Sequence, residues 1–446
     1  MRALFLNQFY APDIAATAQV LAALCQDLAA AGHDITVVCS DARYRTPHQG
    51  RQRSVGSGAD RLAGFDVQAG VKVHRVPFMR REGTPGSPLR RLTDRLRSEG
   101  EFSVAALCKL QAIIEQQPPE ILVAMSSPPT LLGLALLAAR RHDIPVVYWV
   151  QDVYPEVLAA SGLLQRERAL DRAVLTGMET VARQLYQRAA AAIVLDAAMG
   201  DRLRAAGLAA ERLHVIEHAA DSQAIAAVPV ESNRLRALLH LRPQDFVVCY
   251  AGNLGRGHDF ATLLTTLPRL ADDPVLASVH LLFIGDGEKR ERLQSAVPSR
   301  LLGRVHFLPP QEASLKNDLL SAGDVALVTL AAEFAGLMTP SKIYPLLAAG
   351  RPILYVGPYS GRVAELCDPG APGGPVGERV RNGDTEGLLA ALRRLVGDTS
   401  ARQAMSAQAR HLAETRHDQR LASAAHESLL RHLISEHRRQ RCAPSR

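Results

Sequence analysis

Phe246-Val-Val-Cys-Tyr-Ala-Gly-Asn-Leu-Gly-Arg-Gly-His-Asp259 decides the fold. Its first six residues are apolar without alternation, the pattern of a strand covered on both faces of a parallel sheet. Three glycines follow, and a helical pattern opens near Asp259. Such a strand–turn–helix unit lets backbone N–H groups approach a phosphate, and the helix N-terminus favours its charge. Gly252 and Asn253 sit in the turn, and Arg256 and His258 are candidate cationic contacts. A plain βα turn that binds nothing has the same shape, so the rest of the chain must decide.

Working outward, the same unit recurs. Phe283-Ile-Gly-Asp-Gly-Glu288 is again strand, glycines, helix, with Gly285, Asp286 and Gly287 in the turn. Downstream, Thr339-Pro-Ser-Lys-Ile-Tyr344 reads as a helix start, and Gly350 as its end. Lys342 then lies in a first helical turn, where the dipole disfavours a cation. It is either a solvated surface lysine or the partner of an anion. Three such junctions at the carboxyl ends of strands point to a nucleotide diphosphate, because ligands of open α/β sheets bind at that edge.

Short apolar runs at 280–284, 304–308, 324–330 and 352–356 complete one array. Upstream, runs at 2–6, 35–39, 71–76, 121–125, 146–150, 192–195 and 213–216 form another, with helical stretches such as 18–31 between them. Residues 1–218 thus read as one domain, 219–245 as a polar linker, 246–420 as a second domain, and 421–446 as a terminal helix and basic tail. In that helix Leu421, Ala425, Leu429 and Leu433 form an i, i+4 ridge that needs a surface to pack on.

The 446 residues are 47% hydrophobic and 22% charged, which excludes a disordered chain, and six scattered cysteines exclude a disulfide scaffold. Polar Asn7 and Gln8 follow Met1–Leu6 at once, so no secretory leader is expected. The 121–139 stretch is broken by Ser126-Ser-Pro-Pro-Thr130 and is not expected to span a membrane. Reduced thiols and these absences suit the cytoplasm. The net charge of +7 is uneven: residues 43–97 carry 13 Lys/Arg against 4 Asp/Glu, and residues 402–446 carry 9 against 4. The rest of the chain is net acidic, so nucleic acid is not expected as a partner. Arg90, Arg91, Arg95 and Arg97 alternate with apolar residues, which suits a peripheral contact with anionic lipid headgroups; a solvated insertion has the same composition.

The sequence resembles the family 4 glycosyltransferases of GT-B fold, and within them the bacterial branch of fucosamine- and colanic-acid-type transferases that builds cell-surface polysaccharides. The resemblance rests on Leu6-Asn-Gln-Phe-Tyr-Ala-Pro-Asp13, Ala31-Gly-His-Asp-Ile-Thr-Val-Val38, Ser126–Thr130, Val150-Gln-Asp-Val-Tyr-Pro-Glu156, Tyr250–Arg256 and Pro340–Tyr344. It implies an α/β architecture of two facing Rossmann-like domains with a cleft between them, and a C-terminal helix crossing back to the first. It further implies a UDP- or GDP-linked nucleotide-sugar donor on the second domain and an acceptor, polyprenyl-diphosphate-linked or an oligosaccharide, on the first. Transfer would retain the anomeric configuration without cofactor or bound metal. Donor contacts carried over are Gly252, Asn253, Arg256, His258, Gly285, Asp286, Gly287, Ser341, Lys342 and Tyr344. Asp152 falls near the position of a histidine that touches the transferred sugar and is the catalytic candidate. Asp13, Thr17 and Glu156 are acceptor-side candidates.

The sequence also departs from the family's pattern. Asn253 and His258 stand where the family's phosphate-binding arginine and lysine are found, and Leu337 and Pro345 replace its two glutamates. Glu333 is a candidate replacement for the ribose-binding one. A sugar-nucleotide epimerase or hydrolase, and a non-catalytic binding protein of the same fold, are the competing readings.

Overall fold

The computed structural model describes residues 1–42, 62, 64–78 and 88–442, with backbone alone at 88–96. Two compact units emerge. The first takes the described residues up to Glu217 and those from Ala422 onward; the second runs from His218 to Leu421.

The first unit is built on strands β1 (Arg2–Leu6), β2 (Asp34–Ser40), β3 (Phe65–Gln68), β4 (Val71–Val76), β5 (Ile121–Met125), β6 (Val146–Trp149), β7 (Ala191–Val194) and β8 (Leu213–Val215). Their order is β3-β4-β2-β1-β5-β6-β7-β8, parallel throughout except for the β3–β4 hairpin. The apolar runs appear where the sequence places them, and Ile121–Met125 is buried at every position. β3 carries no such run. Its residues are exposed or half-buried, and it pairs only because Ala69 and Gly70, at φ 48° and 81°, turn the chain back onto β4.

The second unit follows with β9 (Phe246–Ala251), β10 (Val279–Ile284), β11 (Val305–Leu308), β12 (Val325–Thr329), β13 (Ile353–Val356) and β14 (Gly377–Val380), all parallel, in the order β11-β10-β9-β12-β13-β14. β9 is sandwiched as its sequence demands. Val248 and Tyr250 pack with Leu263, Leu267 and Leu270 of the helix Ala261–Asp272, while Val247 and Cys249 pack on the other face with Leu235 and Ala322. Each of these valine and leucine side chains contributes roughly 1.5–3 kcal/mol of burial. Both sheets reverse winding at their middle, between β1 and β5 and between β9 and β12. A crevice forms at such a switch point, so these are the places to look for ligand sites.

Residues 219–245 are not a loose linker but a folded part of the second unit. Asn233 caps the short helix Arg234–Leu238, accepting from the N–H groups of Leu235 and Arg236. The Arg236 side chain is 1% exposed, pairs with Asp324 at 3.1 Å and donates to the carbonyls of Ala322 and Asp245. Removing one partner of a buried pair strands the other, so Arg236→Met should cost about 3 kcal/mol, read as a lower urea midpoint at unchanged m-value.

The terminal helix, Gln419–Cys442, does pack on the first unit, but through only the later half of the expected ridge. Leu421 and Ala425 are exposed and Leu429 is half-buried; the buried seam is Ser423, His426, Leu430, Leu433 and Ile434. Spacing of three, four and seven lets a polar residue share the seam. Ser423 donates to Asp27 at 2.5 Å, and the His426 ring lies 4.7 Å from that of Trp149. No described helix is long and apolar enough to cross a membrane.

Candidate functional site

In the second unit the turns after β9 and β10 lock together backbone to backbone. The Gly252 N–H donates to Ile284 O at 2.9 Å, and the Leu254 N–H to Asp286 O at 2.8 Å. The contact is closer than a side chain permits: a Cβ on Gly285 would lie 2.1 Å from Gly252 O, and one on Gly287 2.5 Å from the Leu254 carbonyl carbon. Both glycines also adopt left-handed φ, 137° and 155°. Lys289, which the sequence reading passed over, staples the turn from outside through hydrogen bonds from Nζ to Arg256 O and His258 O. Its only sequence signal is a lysine just past the second glycine pair.

Lys342 reaches this turn from the residue before the helix Ile343–Ala348. The residue is half-buried, but its Nζ has no exposure and no hydrogen-bond partner among the described residues. It sits 3.6 Å from the centroid of the Tyr250 ring, and a Cβ on Gly252 would lie 3.0 Å from it. Burial pulls its pKa from the ordinary 10.5 down to about 7. A cavity of about 140 Å³ opens beside it, at the β9/β12 switch point, lined by Cys249, Ala251, Ala326, Pro345 and Leu346 among others, none of them a carboxylate. A desolvated ammonium with only a π-face for company is set to accept an anion.

Other sequence candidates are placed differently. His258 is buried, its Nδ1 is 2.8 Å from Thr329 O, and burial, with Lys342 second, holds its pKa down to about 3. It is a neutral structural ring and supplies no cation. Arg256 is exposed and held by Glu288, 2.9 Å and 3.1 Å from the two carboxylate oxygens. Tyr344 is fully buried with its ring against His218 and His417. The helix N-terminus after the first turn is already occupied. Asp259 accepts from the N–H groups of Ala261 and Thr262, so the expected phosphate seat there is filled by a side-chain carboxylate. Asp286 is buried and bonds the Gly287 N–H; Asn253 is exposed; Ser341 is half-buried beside Lys342; Glu333 is exposed; Leu337 is buried.

In the first unit, Ser126 after β5 accepts from the N–H groups of Gln151 and Asp152 after β6 and so fixes that loop. Burial raises the Asp152 carboxyl to about 6. Glu156, at the start of the helix Glu156–Ala160, is also pushed up by burial, and its Oε2 is buried without a partner among the described residues. Asp13 is buried and accepts from the Ala15 N–H at 2.9 Å, tying the entry to the helix Ala16–Ala30, on whose first turn Thr17 is half-buried. A wider groove of about 1240 Å³ opens at the amino edge of β6 and β7, between Arg140, Arg188 and His437, on the edge opposite Asp152. The side chains of Arg90, Arg91 and Arg95 lie outside the described residues; Arg97 is exposed and 3.5 Å from Glu101. Among the described residues no group of three His, Cys, Asp or Glu side chains is arranged to hold a metal ion.

The family profile "Glycosyl transferase 4-like domain" matches residues 16–219, and "Glycosyl transferases group 1" matches residues 245–398. WcaI of Escherichia coli K12, by name a colanic acid biosynthesis glycosyl transferase, is 24% identical over 80% of this chain and 84% of its own. Among solved structures, Anabaena Alr3699/HepE in complex with UDP aligns at a TM-score of 0.68 and 17% identity, covering 96% of this chain and 99% of its own. Sucrose-phosphate synthase from Thermosynechococcus elongatus aligns at 0.69 and 16%, covering 98% and 100%. Two Rossmann-like parallel sheets in this order, each reversing at its middle, together with the two profile matches, make the chain a member of the family 4 glycosyltransferases of GT-B fold.

Proposed function

We propose that the protein moves a sugar from a nucleotide-diphosphate sugar to a lipid-linked or oligosaccharide acceptor in bacterial cell-surface polysaccharide biosynthesis. The observation that carries this reading is the unpartnered Lys342 Nζ at the glycine turn of the β9/β12 switch point. Relatives support the donor class and the pathway: HepE was solved with UDP and with UDP-glucose, and WcaI is named for colanic acid synthesis. The donor side uses Lys342 and Ser341 with the backbone of Gly252, Asn253, Gly285 and Gly287. When the nucleotide diphosphate departs, negative charge grows on its oxygens as the sugar becomes oxocarbenium-like; a preorganised ammonium stabilises that charge. Retention, without a bound metal or cofactor, is the course that the family resemblance implies. An anionic membrane surface beside residues 90–97 would present a polyprenyl-diphosphate-linked acceptor.

Asp152 serves the acceptor hydroxyl as base. With its carboxyl raised to about 6, it is ionised and able to act as base above that pH and protonated below it. Asp152→Asn should lower kcat about 100-fold or more with donor affinity kept, and should abolish the rising limb near pH 6 in the wild-type rate profile. The donor is tested by thermal shift with UDP-, GDP- and dTDP-sugars. One nucleotide series should raise Tm; no shift with any of the three would overturn the reading.

A further inference from the structure

Lysine is scarce in this chain: five of the 52 cationic residues, at positions 72, 109, 289, 316 and 342, are lysines and the rest arginines. Four of the five lie in ordinary settings. Lys72 is paired with Asp34 at 2.8 Å, Lys289 donates to two carbonyls, Lys316 is exposed and Lys109 half-buried. Lys342 alone among them ends in a buried Nζ with no hydrogen-bond partner, on a side chain that lines a cavity of about 140 Å³. The wall over Nζ at Gly252 is backbone without a side chain.

We propose that Lys342 is the chain's preferred acylation site and that acyl phosphates deliver the acyl group. The proposal rests on the donor reading in one respect: the same position that takes a sugar diphosphate takes the phosphate of the reagent. The Nζ lone pair attacks the acyl carbon, the C–O bond to phosphate breaks, and inorganic phosphate leaves with the bonding pair. The amine gives up its proton to solvent, and a neutral amide remains. That product suits the apolar lining of Leu319, Leu320, Ala326 and Leu346 better than the ammonium it replaces. Nucleophilic attack needs the neutral amine, and burial keeps a substantial fraction of Lys342 in that form near pH 7. A water-exposed lysine holds its proton to about pH 10 and reacts correspondingly slowly. Acylation removes the cation, so the modified protein is blocked at the donor step.

The test is incubation of the whole protein with acetyl phosphate at pH 7.5, followed by mass spectrometry of its peptides over time. Lys342 should acquire the acetyl group at least tenfold faster than Lys72 and Lys316, and the rate should fall as pH drops below 7. Comparable rates at the three positions, or an unmodified Lys342, would overturn the proposal. Parallel incubations with UDP and with GDP separate it from the donor reading. Protection of Lys342 by one of them supports both readings. Selective acetylation that neither nucleotide slows leaves the acylation site standing and removes the nucleotide from it.

Discussion

Lys342→Met is expected to give a protein that is more stable than the wild type and binds its donor much more weakly. The substitution removes a buried ammonium that touches only the Tyr250 ring, and replaces it with a flexible thioether that packs well on aromatic surface. The gain depends on pH with a definite sign. The unfolded chain keeps the lysine proton to about pH 10, whereas the folded protein releases it near 7. The wild type therefore bears the full desolvation penalty below pH 7 and sheds it as the pH rises through that window. Thermal melts should show Lys342→Met ahead by about 2 kcal/mol at pH 6, with the advantage shrinking toward pH 10. Donor binding runs the other way. A charge-assisted contact to phosphate is worth about 2–3 kcal/mol, so affinity for the nucleotide sugar should fall roughly 30- to 160-fold. Wild-type affinity should also weaken above pH 7, because binding then has to take up a proton. A destabilised Lys342→Met with normal donor affinity would remove Lys342 from the site.

Gly285→Ala is expected to be strongly damaging to the second unit. The new methyl would meet Gly252 O at 2.1 Å, a backbone atom fixed between two strands, and would impose a side chain at φ 137°. Neither the β9 nor the β10 turn can yield without breaking the Gly252–Ile284 hydrogen bond. A loss of about 4 kcal/mol or more is expected, together with the donor turn itself. Gly303→Ala is the control. A Cβ there has nothing within 4 Å, and the unfolding free energy should change by less than about 0.5 kcal/mol. Equal effects at the two positions would mean that the two turns are not packed as described.

These two positions also show what the sequence can and cannot carry. The central strands are legible because burial on both faces forces unbroken apolar runs, as in Phe246–Ala251. Edge strands are not: Gly377–Val380 is covered on fewer sides and is spelled Gly-Glu-Arg-Val. The glycine pairs are legible as turns, but the close approach of Gly285 to the Gly252 carbonyl joins two segments more than 30 residues apart. Lys342 stands out as a cation in a first helical turn, while its perch over Tyr250 depends on tertiary packing. His258 misleads for the same reason: nothing nearby in sequence announces that Thr329 O will claim its ring. The Asp259 cap was readable, since an aspartate just before a helix commonly takes the free N–H groups. The inward seam of the final helix was not, because Ser423 and His426 are polar and owe their burial to Asp27 and Trp149.

That final helix bears on the order of events during synthesis. Leu430, Leu433 and Ile434 belong to the same core as Phe5, Trp149 and Ile193, yet roughly 200 residues of the second unit are translated between them. The ring of Trp149 and its neighbours must wait, uncovered on that face, until the second unit has left the ribosome. Vectorial folding therefore cannot finish the units in the order in which they are encoded. The unit that starts first finishes last, and a chain stalled inside the second unit would carry an open apolar seam for chaperones to recognise.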